Sequence, residues 1–294
     1  MRTTDPGSPI TVDVGDVRIA ADVSGTGTPV LLLHGYPETR AMWREVAAEL
    51  ATRHTVVAAD LRGYGDSTKP AGDRYSKREM AADQVGLMRA LGHDRFAVVG
   101  HDRGGRVGHR LALDHPEAVA ALAVLDIVPT LHMFEHVDRD MATSYFHWFF
   151  LARDDGLPER LISAAPREWL ESRFRGRAVR EGAISAEAFA EYLRCFDEDT
   201  VRASCADYRA AATVDLEHDR DDRDAGVRVA APLLALWGAH SYVGRSFDVV
   251  EVWRDFADAA SGAPIDADHY LAEEAPAETA TALSAFLDDG TVQW

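Results

Sequence analysis

Val98-Val99-Gly100-His101-Asp102-Arg103-Gly104-Gly105-Arg106 is the stretch that decides how this chain folds and where its chemistry lies. Phe96-Ala97 leads into it, so an apolar, β-branched run comes first, and helical spacing begins near Gly104. Strand, glycine turn and helix in that order form a nucleophile elbow, Gly-x-nucleophile-x-Gly, which lifts the central side chain above the end of a sheet strand. The central residue is Asp102, where a serine is usual. A carboxylate attacking an acyl carbon gives a reactive anhydride. At a saturated carbon bearing a leaving group it gives an ordinary ester, which water can hydrolyse. Aspartate in the elbow therefore points to opening a carbon–halogen bond or an epoxide. An aspartate ahead of a helix is also a common N-cap, but the preceding strand and flanking glycines favour the elbow.

Outward from the elbow, apolar runs alternate with helical patterns, as in a mostly parallel, doubly wound α/β sheet. Residues 10–14 and 17–23 read as an opening antiparallel pair. Residues 29–35, 54–60 and 119–127 read as buried parallel strands, apolar throughout as strands covered on both faces are. Helices are predicted over 42–51 and 104–113, and Ser76-Lys77-Arg78-Glu79 has the capping-box pattern that opens a helix to Leu91. The alternation stops at Pro129, and residues 129–225 read as a helical, aromatic-rich insertion, with the acidic segment 215–226 as the linker out of it. The sheet resumes at 232–238 and ends with a strand over 263–267, between helices over 247–257 and 279–287. The predicted organisation is a core of residues 1–128 and 226–294 carrying a helical cap of residues 129–225.

The chain has 294 residues, within reach of one α/β unit with an insertion, and 47% are apolar, enough for a sizeable core. Its net charge of −18 argues against nucleic acid and anionic membranes as partners. The stretch Met1–Pro9 has no apolar core of a signal peptide, and the most apolar run, 118–128, is too short to span a bilayer and contains Asp126. Cys195 and Cys205 match no metal spacing and read as free thiols, so a cytoplasmic protein is expected.

His34-Gly35-Tyr36-Pro37, the loop from Asp60 to Ser67, the elbow, and Gly262 with Asp268-His269 together resemble the α/β-hydrolase superfamily. Within it, His101-Asp102-Arg103-Gly104-Gly105-Arg106, Phe146-His147-Trp148 and Asp207-Tyr208-Arg209-Ala210 are similar to the fluoroacetate (haloacetate) dehalogenases. The resemblance implies the α/β-hydrolase fold with a cap, a small anionic organohalide and water as substrates, no cofactor and no metal, and often a homodimer. It makes Asp102 the nucleophile and His269, after the last strand, the general base that activates water. The loop from Trp237 to Val243 has no carboxylate, so Asp126, at the end of the preceding strand, is the candidate acid that orients His269. An Asp at a strand end can also be merely a satisfied carboxylate.

Arg103 and Arg106 stand at i and i+3 at the start of a helix, so both can face one side. Two guanidiniums beside the nucleophile of an acidic chain favour a substrate carboxylate, although an ion pair to one of the 49 acids is the plainer use of either. The resemblance assigns His147, Trp148 and Tyr208 to the departing halide and the backbone N–H groups of Tyr36 and Arg103 to an oxyanion hole. Aromatic residues in a helical insertion are otherwise simply core. An epoxide hydrolase with the same Asp-His-Asp triad, protonating the ring oxygen from Tyr145, Tyr192 or Tyr208, is the alternative.

Overall fold

The structure, a computed structural model, describes residues 7–175 and 182–294. Residues 1–6 of the amino-terminal stretch and residues 176–181 of the predicted insertion lie outside the described residues.

Eight strands build one sheet: β1 (Ser8–Val14), β2 (Val17–Ser24), β3 (Thr28–Leu33), β4 (His54–Ala59), β5 (Phe96–His101), β6 (Val119–Leu125), β7 (Leu233–Gly238) and β8 (Ala260–Ile265). Their spatial order is β1-β2-β4-β3-β5-β6-β7-β8. The first two pairings, β1 with β2 and β2 with β4, are antiparallel, and the rest are parallel. Side chains alternate between the faces with the period of two that a strand imposes. Leu31, Leu33, Val57, Val98, Leu122 and Val124 enter the apolar core on one face. Val30, Leu32, Val56, Val99, Ala123 and Leu125 enter the core on the other. That double burial is why the central strands read as continuous apolar runs.

Helix Lys77–Ala90 starts on the predicted capping box: Glu79 N–H donates to Ser76 Oγ at 3.2 Å, and Ser76 N–H donates to Glu79 Oε2 at 3.3 Å. Between β6 and β7 the described residues form eight helices and no strand. The acidic segment expected to be a linker is instead helix Val214–Asp224. Polarity alone was a misleading guide there, because its carboxylates meet cations of the core. Arg110 pairs with Asp219 at 2.9 Å and Asp222 at 2.6 Å, and Asp215 accepts from the Lys77 backbone N–H at 2.9 Å.

Two further boundaries differ from expectation. The predicted helix over 247–257 is shorter, Val249–Arg254 capped by Asp248, and a short helix that was not expected, Tyr242–Ser246, precedes it. The last strand begins at Ala260, earlier than expected, because the backbone ladder with β7 extends through Ala260, Ser261 and Gly262, which carry no strong apolar signal. Pro264 is accommodated because β8 is an edge strand.

The elbow is packed backbone against backbone. Gly104 N–H donates to the His34 carbonyl at 2.9 Å, and a Cβ on Gly104 would stand 2.3 Å from the Leu33 carbonyl oxygen. A Cβ on Gly100 would stand 2.4 Å from the Gly104 carbonyl oxygen. Neither neighbour is a flexible side chain that could yield. Gly104→Ala should therefore lower unfolding stability by about 3 kcal/mol, measured by urea denaturation. Gly290→Ala, with nothing within 4 Å of the added carbon, should leave it nearly unchanged.

Candidate active site

β5 ends at His101, and the helix Asp102–Asp114 starts at once. The turn is made by Asp102 itself, whose φ of 41° lies in the left-handed region that non-glycine residues seldom adopt. Asp126, one residue past β6, has φ 51°. The predicted triad comes together around these two residues. His269 Nδ1 lies 2.6 Å from Asp126 Oδ2. The other oxygen of Asp126 accepts from Gly238 N–H at 3.0 Å and Ser241 Oγ–H at 2.6 Å, so the carboxylate is fixed at both ends. His269 is 4% exposed, like Asp102. Burial opposes the charge of Asp102, but His269, Arg103 and Arg106 outweigh it and hold the carboxyl below the usual carboxylate range.

Tyr36 N–H, one of the two candidate oxyanion donors, donates to Asp102 Oδ2 at 3.2 Å. The other, Arg103 N–H, sits in the first helical turn, where no carbonyl of the same helix can accept it.

The two arginines differ sharply. Arg103 grips Asp207 with its Nε, 2.9 Å from Oδ2, and with Nη2 on the other oxygen. Asp207 is fully buried and also receives Lys77 Nζ and the Tyr64 hydroxyl, the latter at 2.7 Å. These partners hold Asp207 well below the usual carboxylate range against the cost of burial. The ion-pair reading thus describes most of Arg103, whose Nη1 alone has no acceptor among the described residues. Arg106 has no carboxylate within ion-pair distance among the described residues. Its Nη1 donates to the Val128 carbonyl at 3.1 Å and Thr130 Oγ1 at 2.9 Å, while its buried Nε has no acceptor. Burial, with repulsion from Arg103, pulls its pKa down to about 10 against the attraction of Asp102.

His147, Trp148 and Tyr208 lie against the same guanidiniums. Arg103 Cζ is 4.2 Å from the Tyr208 ring centre and Arg106 Cζ is 4.6 Å from the Trp148 ring centre. The His147 and Tyr208 rings are 5.8 Å apart, and Trp148 and Tyr208 are 6.3 Å apart. The indole N–H of Trp148 and the hydroxyl of Tyr208 are buried and meet no acceptor among the described residues. Unpaired buried donors cost about 1–3 kcal/mol each, so a site that keeps two is prepared for an acceptor from outside the chain.

The alpha/beta hydrolase fold family matches residues 28–276. The chain belongs to the α/β-hydrolase family. Along 284 residues it is 45% identical to the fluoroacetate dehalogenase of Burkholderia sp, an alignment covering 95% of this chain and 93% of that one. It is 32% identical to the soluble epoxide hydrolase of Corynebacterium sp. (strain C12), across 90% of this chain and 91% of the relative. Among solved structures, a protein assigned to the alpha/beta hydrolases from Nostoc sp PCC 7120 superposes with a TM-score of 0.94 at 48% identity, covering 96% of this chain and 98% of that one. The resemblance to the fluoroacetate dehalogenases drawn from short motifs therefore extends along nearly the whole α/β hydrolase chain.

Reading the sequence left several contributors without a role. Ser241 lies in the loop from Trp237 to Val243, which has no carboxylate, and donates its hydroxyl to Asp126. Lys77 and Asp207 are distant in sequence and show their pairing only in space. Asp207→Asn strands Arg103 and Lys77 and should cost about 3–5 kcal/mol at neutral pH. Because the folded-state pKa of Asp207 is depressed, its stabilisation is present above the ordinary carboxylate range and is lost as pH falls through it. Thermal melts taken from about pH 7 down to about pH 3 should show a shallower acid decline in Asp207→Asn than in the native chain.

Proposed function

We propose that the chain hydrolyses small 2-haloacids, converting a haloacetate to glycolate and halide through an ester on Asp102. The observation that carries this reading is Arg106, a buried guanidinium with no carboxylate at ion-pair distance among the described residues, flanked by donors of Trp148 and Tyr208 that meet no acceptor there. Arg103 and Lys77 are balanced by Asp207 and Asp215, whereas Arg106 has no ion-pair partner among the described residues and can neutralise a substrate carboxylate. The similarity to the Burkholderia fluoroacetate dehalogenase supports the same reading.

In the first step an Asp102 oxygen attacks the α-carbon opposite the halogen, forming a C–O bond as the carbon–halogen bond breaks. Halide departs toward the N–H and O–H donors of His147, Trp148 and Tyr208, which matter most for fluoride because its charge is concentrated. In the second step His269, held by Asp126, takes a proton from water as the water oxygen attacks the ester carbonyl of Asp102. The N–H groups of Tyr36 and Arg103 stabilise the oxyanion, and its collapse frees glycolate and restores Asp102. The helical insertion serves as the cap that keeps bulk water from the ester.

A second reading, epoxide opening by the same Asp102, is favoured by the Tyr208 hydroxyl, which has no partner among the described residues, and by the Corynebacterium relative. Halide release and glycolate formation from fluoro-, chloro- and bromoacetate, run beside an epoxide panel, decide between them. His269→Asn should release one halide per active site and stop, with a carboxymethyl adduct on Asp102 visible by intact-protein mass spectrometry. Native-like turnover in that variant would remove His269 from its role. Arg106→Leu should cut activity on haloacetates by at least about tenfold and on neutral haloacetamides by less. Equal losses on both would make Arg106 a structural residue only.

A further inference from the structure

Behind His269 lies a chain of buried titratable groups that the reaction above leaves unused. His101, the residue before the nucleophile, has its Nε2 2.8 Å from the His269 carbonyl oxygen and its Nδ1 3.0 Å from Glu38 Oε2. Glu38, in the loop after β3, is 1% exposed. Its carboxyl is in hydrogen-bond contact with that of Glu273, on the short helix Leu271–Glu274 that follows His269. Tyr192, from helix Ala186–Cys195 of the insertion, donates its O–H to Glu273 Oε1 at 2.8 Å. Neither Glu38 Oε1 nor Glu273 Oε2 meets an N–H or O–H donor among the described residues.

These contacts fix a proton count. A carbonyl only accepts, so His101 Nε2 carries a proton. The contact between His101 Nδ1 and Glu38 then needs a second proton, held by either partner. Two carboxylates supply no donor to each other, so the contact between Glu38 and Glu273 needs a third. With all gaps filled the array is neutral, and losing one proton makes it a single negative charge.

We propose that Glu38 and Glu273 share a proton and, with His101, act as positioning residues for His269, holding its backbone and setting the charge behind its ring. The catalytic part of this rests on His269 being the base of ester hydrolysis. The His101 and His269 rings are 4.7 Å apart, so a negative charge on the array favours the imidazolium formed when His269 takes a proton from water. Burial, together with Asp102 and Glu274, pushes the Glu38 carboxyl up to about 7 against the hydrogen bond with Glu273 and the attraction of His269. Burial and Glu38 raise Glu273 in the same way, with Arg44 and the Tyr192 hydroxyl opposing. Glu274 is itself held by the N–H groups of Asp268 and Tyr270. The array consequently changes charge near neutral pH, and ester hydrolysis quickens as it does.

Two readouts test this. Infrared difference spectra of the native protein should contain a protonated-carboxyl band that titrates near neutral pH, is lost in Glu38→Gln and titrates at lower pH in Glu273→Gln. The pH profile of ester hydrolysis, followed after single-turnover loading, should carry two ionisations in the native enzyme and one in Glu38→Gln. That variant should lose roughly tenfold in ester hydrolysis at alkaline pH, and less in halide release. Glu273→Gln gives Glu38 an amide donor and should move the second ionisation to lower pH by roughly one unit, which keeps the test open if Glu38→Gln fails to fold. A band that persists in Glu38→Gln or is unshifted in Glu273→Gln, or pH profiles identical to native, would overturn the proposal. Absence of halide release from every haloacid would sink the dehalogenase reading, while the infrared band would still decide whether the proton is shared.

Discussion

Asp207 receives Arg103 from the elbow helix, Lys77 from helix Lys77–Ala90 and Tyr64 from the loop after β4, with no contact to solvent. It belongs to helix Glu198–Ala212 of the insertion, so one carboxylate joins that helix to two helices of the core. Hydrophobic side chains of similar volume could be as stabilising. Charge adds direction: the insertion can settle only where the carboxylate meets its donors. Tyr208, the next residue, is thereby set over the Arg103 guanidinium, and the placement of the aromatic donors near Asp102 follows from it.

The same pairing divides the labour between two arginines three residues apart. The start of the elbow helix already carries the positive end of the helix dipole, and two guanidiniums there repel each other. Committing Arg103 to Asp207 relieves that repulsion and leaves Arg106 with neutral hydrogen-bond acceptors, a ring face and the more distant attraction of Asp102. Such a residue is poorly satisfied until an anion arrives. The chain as a whole is strongly acidic, so this local reversal of sign separates the interior of the site from the outer surface.

Much of this was legible in one dimension because it rests on short-range rules. The elbow could be read from Phe96 to Arg106, since its glycines answer to close backbone approaches within a few residues and at the end of β3. Strands buried on both faces announced themselves, and Ser76 with Glu79 announced a helix start. Asp126 and His269 could be located because strand ends can be located. Local pattern failed where a charge finds its partner far along the chain. Nothing near Arg103 indicates Asp207, 104 residues away, and the acids of helix Val214–Asp224 look like a solvated linker until Arg110 is seen beneath them. Glu38 and Glu273 were invisible for the same reason, each an ordinary loop or helix glutamate until their carboxyls meet.

β5 and β6 are adjacent and parallel, with His101 opposite Leu125 in the ladder. Asp102 and Asp126 are the next residues of each strand, and both turn out of the sheet through left-handed backbone. The backbone spacing between Asp102 and Asp126 is therefore a lattice constant of the sheet, close to one inter-strand step of about 4.8 Å, and owes little to the side chains themselves. A lineage could exchange the residue at the elbow and inherit that spacing unaltered. Changes of reaction class on this scaffold then require one substitution at the turn and a re-lined cavity, with the underlying framework left as it stands.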